Sequence, residues 1–170
     1  MRAIICLSGE IASGKTTVAR SLAERLPQAI VRSFGDVVRQ KAVNQGKKLD
    51  RATLQAVGMS LIADGWESFV DELLKDVPSS SAILVIEGIR HREAAEEIAR
   101  RNLCDRFLTV YLMVDPQVQQ ARLAERGETL VSRAHAVESS LAEVKAVANL
   151  IIDSRLPVVE IVDKIIVYLT

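Results

Sequence analysis

With 170 residues, 49% of them hydrophobic, the chain is long enough for one domain with a buried core, and this composition excludes extensive disorder. The 22 basic residues are balanced by 22 acidic ones, which argues against nucleic-acid binding through overall phosphate neutralisation. The longest apolar runs, 3–7 and 107–114, are far shorter than the roughly 20 residues of a membrane helix, and two cysteines without metal-ligand spacing indicate the reducing cytoplasm.

Short apolar runs alternate with helical patterns along the chain. Strands are predicted at residues 3–7, 29–34, 82–86, 107–114 and 150–152. Helices are predicted at about 15–26, 36–44, 50–77 with a break at Gly65, 91–101, 116–127, 128–148 and 158–169. The strand runs do not alternate with polar residues, as is typical of a parallel sheet buried on both faces. The pattern predicts a three-layer α/β domain with five parallel strands and a ligand site at their carboxyl ends.

The turn after the first strand matches the phosphate-loop pattern G-x-x-x-x-G-K-[ST] from Gly9 to Thr16. Such a loop curls so that its backbone N–H groups point at phosphate oxygens, and the following helix presents its positive end to the same anion. Lys15 is expected to reach the β- and γ-phosphates, and the Thr16 hydroxyl to bind Mg²⁺. The residues predicted to bind ATP with Mg²⁺ are Gly9, Ala12, Ser13, Gly14, Lys15, Thr16 and Thr17.

The segment Gly35-Asp36-Val37-Val38-Arg39 follows the second strand and resembles the G-D-x-x-R segment of adenylate kinase and related nucleoside monophosphate kinases. In that family the aspartate begins a helix, for which Asp36 is by itself a suitable N-cap. The family's arginine contacts the phosphate of the acceptor nucleotide. The resemblance therefore implies that Arg39 holds the acceptor phosphate.

The third strand ends in Val85-Ile86-Glu87-Gly88-Ile89-Arg90. An acid at the tip of a buried strand beside a phosphate loop is where a carboxylate binds Mg²⁺ or its water ligands, which makes Glu87 a second metal-binding candidate. The segment resembles the D-G-F-P-R segment of the same kinases, with glutamate for aspartate and one residue fewer before the arginine. This shorter form is closer to kinase-like P-loop proteins related to adenylate kinase and dephospho-CoA kinase. The resemblance implies that Arg90 also holds the acceptor phosphate.

The helix after the fourth strand ends in Arg122-Leu123-Ala124-Glu125-Arg126, which resembles the R-L-x-x-R segment at the entry of the kinase family's mobile lid. There the first arginine packs on the nucleotide base and the second approaches the phosphates. The resemblance implies these roles for Arg122 and Arg126, and makes Arg133 a further lid arginine. The lid, at about residues 127–147, has no cysteine quartet, so no zinc is expected in it.

The resemblance implies a nucleoside monophosphate kinase-like enzyme, with an acceptor-binding helical insert at about residues 36–77. Arg51, Gln55 and Trp66 are weaker candidates for the acceptor pocket. The expected partners are small nucleotides, and no nucleic acid or membrane is expected. Neither the acceptor nor the oligomeric state can be predicted.

Two other functions remain open. A kinase of the dephospho-CoA kinase type transfers the phosphoryl group to a hydroxyl, and would use Asp36 as its general base. A nucleotide-binding regulatory protein with low ATPase turnover would need no acceptor.

Overall fold

The computed structural model describes residues 1–78, 80–127 and 135–169, except the side chains of residues 135–138. The strands are β1 (Ala3–Gly9), β2 (Ala29–Ser33), β3 (Ile83–Ile89), β4 (Arg106–Met113) and β5 (Leu150–Asp153). The helices are α1 (Lys15–Arg25), α2 (Phe34–Asn44), α3 (Arg51–Ala63), α4 (Trp66–Leu74), α5 (Arg92–Arg100), α6 (Pro116–Glu125), α7 (His135–Ala146) and α8 (Val158–Leu169). In the described ranges, no helix is long and apolar enough to cross a membrane.

The five strands form one parallel sheet in the order β2-β3-β1-β4-β5, which confirms the predicted fold class. β1 lies in the centre, and all seven of its residues are buried. Ile5 and Leu7 pack on one face with α1 and α8, while Ile4 and Cys6 pack on the other with α2–α5 and α7. Burial of each large aliphatic side chain contributes about 1.5–3 kcal/mol, so this double-faced core holds the strand ends in place.

Two of the element boundaries that differ from the predicted ones change the position of a candidate residue. β3 runs to Ile89, so Glu87 lies inside the strand and not at its tip. α2 begins at Phe34, so Asp36 lies in the first helical turn and not at the N-cap. The sequence predicts Phe34 as strand because it is apolar. Its ring is instead buried edge-on against the ring of Phe69 with centroids 4.9 Å apart, which holds it at the start of the helix.

The segment between α6 and β5 contains the predicted lid. α7 occupies its second half and is anchored by two buried side chains, Leu141 and Val144. Residues 128–134, Arg133 among them, lie outside the described residues. The lid therefore stays a prediction, as does the role of the insert that α2, α3 and α4 form.

Candidate functional site

The phosphate loop joins the central strand to α1 at the carboxyl edge of the sheet. Gly9 has φ 137°, and a Cβ atom there would lie 2.4 Å from the Leu112 carbonyl oxygen, so this position requires glycine. α1 begins at Lys15, and its buried residues Val18 and Leu22 anchor it under the sheet. The first turn of α1 therefore points its N–H groups toward the loop, as phosphate binding requires.

The Lys15 ammonium lies inside the curl of this loop. Its Nζ donates hydrogen bonds to the carbonyl oxygens of Gly9 at 2.9 Å and Glu10 at 2.6 Å, and to Ser13 Oγ at 3.2 Å. Ser13 is buried, and so is Ala12. The loop is thus a packed structure with one positive charge at its centre, which suits a polyphosphate.

Thr16 and Glu87 meet beside the loop, where Thr16 Oγ1 donates to Glu87 Oε2 at 2.8 Å. Strand alternation aims the carboxylate, because Glu87 lies opposite Leu7, which packs on the same face of the sheet as α1. A β-bulge follows directly, so that Ser8 lies opposite Ile89. Gly88 is the extra residue, with φ 84°, and Ser8 Oγ donates to the Ile89 carbonyl at 2.7 Å. The half-buried Glu87 therefore points toward the first turn of α1, and the bulge begins directly after it.

The two oxygen donors fit Mg²⁺. This ion prefers oxygen ligands and is commonly held by one or two protein oxygens together with water and substrate phosphates. One hydroxyl and one carboxylate, already within 2.8 Å of each other beside a lysine, form such a donor set. Thr16 and Glu87 are the residues that would hold the ion.

The predicted acceptor residues Arg39 and Arg90 lie on α2 and directly after β3. Arg39 Nη2 donates to Asp36 Oδ1 one helical turn away, and the two side chains are 51% and 69% exposed. An exposed ion pair of this kind adds little to stability, so the fold does not depend on it. A Cβ atom on Gly88 would lie 4.0 Å from the backbone N of Gly35, so the bulge contacts the start of α2. Arg90, exposed, follows the end of β3.

An aromatic cluster lies behind these residues. The Trp66 ring stacks on Phe69 with centroids 5.9 Å apart, meets Phe34 edge-on at 6.4 Å, and contacts His91 at 5.2 Å. Trp66 is half-buried in this cluster. Burial lowers the pKa of His91, and Arg90 acts in the same direction.

Trp66 is one of the three weaker acceptor candidates, and the other two lie on α3. Arg51 and Gln55 are both exposed on α3. Their role in acceptor binding stays a prediction.

Arg122 connects three segments. Its Nη1 donates to the Ala12 carbonyl at 3.0 Å and to Ser154 Oγ at 3.3 Å, and its Nη2 donates to the Ser154 carbonyl at 2.7 Å. The phosphate loop, α6 and the β5–α8 connection are therefore joined by one guanidinium group. Arg126 is exposed one turn further along the chain.

A cleft of about 230 Å³ opens between the phosphate loop, the end of α6 and the β5–α8 connection. Thr17, Arg122 and Arg126 line its polar side, and Val158 and Ile161 of α8 line its apolar side. Its position next to the loop, with one apolar wall, suits the base and sugar of a nucleotide whose phosphates lie in the loop.

Two residues at this site are absent from the predicted set. Gln119 Nε2 donates to the Ile11 carbonyl at 2.9 Å, and Ser154 is the partner of Arg122. The side chain of Gln119 is buried although it is polar. The sequence does contain an indication of Gln119: it is polar but lies on the same helix face as Leu123, which is buried in the core.

Comparison with known proteins supports the fold. The model of a family described as AAA domain matches residues 5–156. The UPF0200 protein of Aeropyrum pernix is 31% identical over 130 residues, which cover 76% of this chain and 69% of that protein.

Two solved structures superpose on nearly the whole chain. The shikimate kinase of Aquifex aeolicus has a TM-score of 0.66 at 19% identity and covers 98% of this chain and 95% of its own. A sugar kinase from Janibacter has a TM-score of 0.58 at 19% identity and covers 99% of this chain and 94% of its own. At these identities the likeness shows the fold, which is that of P-loop kinases.

Proposed function

The chain belongs to the AAA domain family of P-loop NTPases, and on that premise we propose that it is an ATP-dependent phosphotransferase with a small-molecule acceptor. The observation that carries this proposal is the contact between Thr16 and Glu87 at 2.8 Å beside the Lys15 ammonium. It brings a Mg²⁺ donor pair and a phosphate-binding cation to one end of the loop. Phosphoryl transfer needs this combination because it depends on positioning and charge neutralisation rather than on a covalent intermediate.

Each residue on the nucleotide side has a role that follows from its position. The loop amides and the first turn of α1 orient the phosphates of ATP, and Lys15 neutralises the charge on the β- and γ-phosphates. Thr16 and Glu87 would hold a Mg²⁺ ion, which would supply further charge neutralisation there. The cleft beside Arg122 and Thr17 receives the base and sugar, with Arg126 near the phosphates.

We propose a nucleoside monophosphate as the first candidate acceptor. Arg39 and Arg90 would hold its phosphate, since both are exposed cations, one on α2, whose start contacts the Gly88 bulge, and one directly after β3. A phosphate acceptor already carries a nucleophilic oxygen, so this reaction needs cations to bring two anions together and no general base. The pairing of Arg39 with Asp36 leaves the remaining guanidinium N–H groups for a phosphate.

A hydroxyl acceptor is the second candidate. Asp36 is an exposed carboxylate in the first turn of α2, and an accessible carboxylate can act as general base for a hydroxyl. The neighbours named shikimate kinase and sugar kinase are named for hydroxylated small molecules, which also favours this candidate. In this reaction Asp36 would accept the hydroxyl proton, and Arg39 would hold the carboxylate in place.

A screen of ADP release with a coupled assay tests the proposal. Wild-type protein with MgATP is assayed against nucleoside monophosphates, dephospho-CoA, and hydroxylated acids and sugars, with Lys15→Ala as the blank. ADP release stimulated by one acceptor class and lost in Lys15→Ala is the expected result. Slow hydrolysis that is indifferent to every acceptor would favour a low-turnover regulatory ATPase and contradict the proposed transferase.

A further inference from the structure

Two side chains on one face of α6 bind neighbouring carbonyl groups at the top of the phosphate loop. Gln119 Nε2 donates to the Ile11 carbonyl at 2.9 Å, and Arg122 Nη1 donates to the Ala12 carbonyl at 3.0 Å. The two residues are three apart in a helix, so they project from the same face. α6 therefore contacts the loop through two consecutive peptide groups.

These two peptide groups flank the one strained residue of the loop. Ala12 has φ 61°, a left-handed conformation that costs a non-glycine residue about 1–2 kcal/mol. The Ile11 carbonyl belongs to the peptide bond before Ala12, and the Ala12 carbonyl to the one after it. Hydrogen bonds to both carbonyls hold the two peptide planes and so maintain the left-handed turn.

The orientation of the first peptide bears directly on phosphate binding. In a trans peptide the N–H points opposite to the C=O. Since Gln119 holds the Ile11 carbonyl toward α6, the Ala12 N–H points away from α6. A rotation of this peptide would present a carbonyl oxygen to a phosphate and repel it.

We propose that Gln119 is a positioning residue for nucleotide binding, which acts through the phosphate loop and does not touch the ligand. Arg122 holds the adjacent peptide and, through Ser154, also the edge of the base cleft. This assignment rests on the proposed binding of ATP at the loop. It does not depend on the acceptor.

Gln119→Met removes the donor while nearly keeping the volume of the side chain. Gln120→Met is the matched control, because Gln120 is the next residue on the same helix and is exposed. Dissociation constants for MgATP and for magnesium tripolyphosphate are measured by calorimetry, together with the melting temperature of each variant. Tripolyphosphate isolates the phosphate loop from the base cleft.

We expect Gln119→Met to raise the dissociation constants for MgATP and tripolyphosphate by the same factor of about ten. Gln120→Met should bind both ligands as the wild type does. A role limited to stability would lower the melting temperature and leave both dissociation constants unchanged. That outcome would overturn the assignment, whether or not the wild type transfers a phosphoryl group.

Arg122→Lys provides a second variant at a half-buried position. Lysine keeps the charge but cannot bridge Ala12 and Ser154 at once. We expect Arg122→Lys to weaken the binding of MgATP more than that of tripolyphosphate. It loses hydrogen bonds to Ser154 at the base cleft as well as to the Ala12 carbonyl of the loop. Wild-type affinities in both variants would refute the inference, whereas failure of the wild type to bind either ligand would refute the proposed function itself.

Discussion

Thr16 Oγ1 donates a hydrogen bond to Glu87 Oε2 across 2.8 Å, and this contact joins the first turn of α1 to the carboxyl-terminal part of β3. The two residues are far apart in sequence and meet only because β3 lies next to β1. Their oxygens lie beside the loop that holds Lys15. The proposed metal site, phosphate site and acceptor side therefore share one edge of the sheet.

Replacing Glu87 with glutamine should lower kcat about 10- to 100-fold and raise the Mg²⁺ concentration needed for half-maximal activity, because one charged metal ligand is lost. Steady-state assays at a series of Mg²⁺ concentrations measure both effects. Thr16→Ala, which removes the other metal-binding oxygen, should show the same two effects. Thr16→Ser keeps the hydroxyl and is its matched control. An unchanged Mg²⁺ dependence in Glu87→Gln would remove Glu87 from the metal site.

Gly88→Ala should impair activity, because strain in the bulge directly after Glu87 would shift the carboxylate. A Cβ atom at Gly88 meets nothing closer than 3.9 Å, so the cost arises from its φ of 84° and amounts to about 1–2 kcal/mol. Gly46→Ala is the control, with φ 65° and open space around it. We expect similar losses of unfolding free energy in denaturant titrations but lower kcat only for Gly88→Ala. Equal activities would show that the bulge does not position Glu87.

The Asp36→Asn variant separates the two acceptor classes. With a phosphate acceptor it should retain activity within about threefold, because no general base is needed, while Arg39→Ala should raise the acceptor KM about tenfold or more. With a hydroxyl acceptor it should lower kcat by about 10²–10⁴. Steady-state kinetics with the acceptor identified in the screen decide between them. Full activity in both Asp36→Asn and Arg39→Ala would place the acceptor elsewhere.

His91 should make the folded state less stable in mild acid. Burial lowers its pKa below the ordinary value of 6.5, with Arg90 acting in the same direction and Glu93 and Glu143 opposing. As the pH falls through 6.5, the unfolded chain therefore takes up a proton before the folded one does, and stability is lost until the pH passes the folded-state pKa.

Denaturant titrations between pH 7.5 and pH 5.5 test this sign. We expect the unfolding free energy of the wild type to fall over this interval by more than that of His91→Gln. Parallel pH profiles in the two proteins would mean that His91 is not protonated more readily in the unfolded chain.

Local patterns were sufficient to predict the five-stranded parallel sheet, and the resemblance of several motifs predicted a P-loop kinase-like family; both are confirmed. The phosphate loop is recognisable because its chemistry requires fixed spacing over eight consecutive residues, Gly9 to Thr16. The strands are recognisable because burial on both faces makes them uniformly apolar. These features depend on neighbours in the sequence.

The remaining features depend on contacts between distant residues. β3 continues through the bulge at Gly88, where its register with β1 changes. The sequence predicts the end of the strand before Glu87, and the structure has Glu87 within it. α2 begins early because Phe34 packs on Phe69. Gln119 belongs to no motif, and its partner is a backbone carbonyl, which any residue could supply.

Calorimetric titration with MgATP, comparing wild type with Lys15→Ala, tests the central claim most directly, because every proposed role depends on a polyphosphate bound in the loop. The account predicts saturable binding by the wild type at millimolar magnesium and a loss of at least about tenfold in affinity for Lys15→Ala. Absence of binding to the folded wild type, or equal affinities in the two proteins, would contradict it.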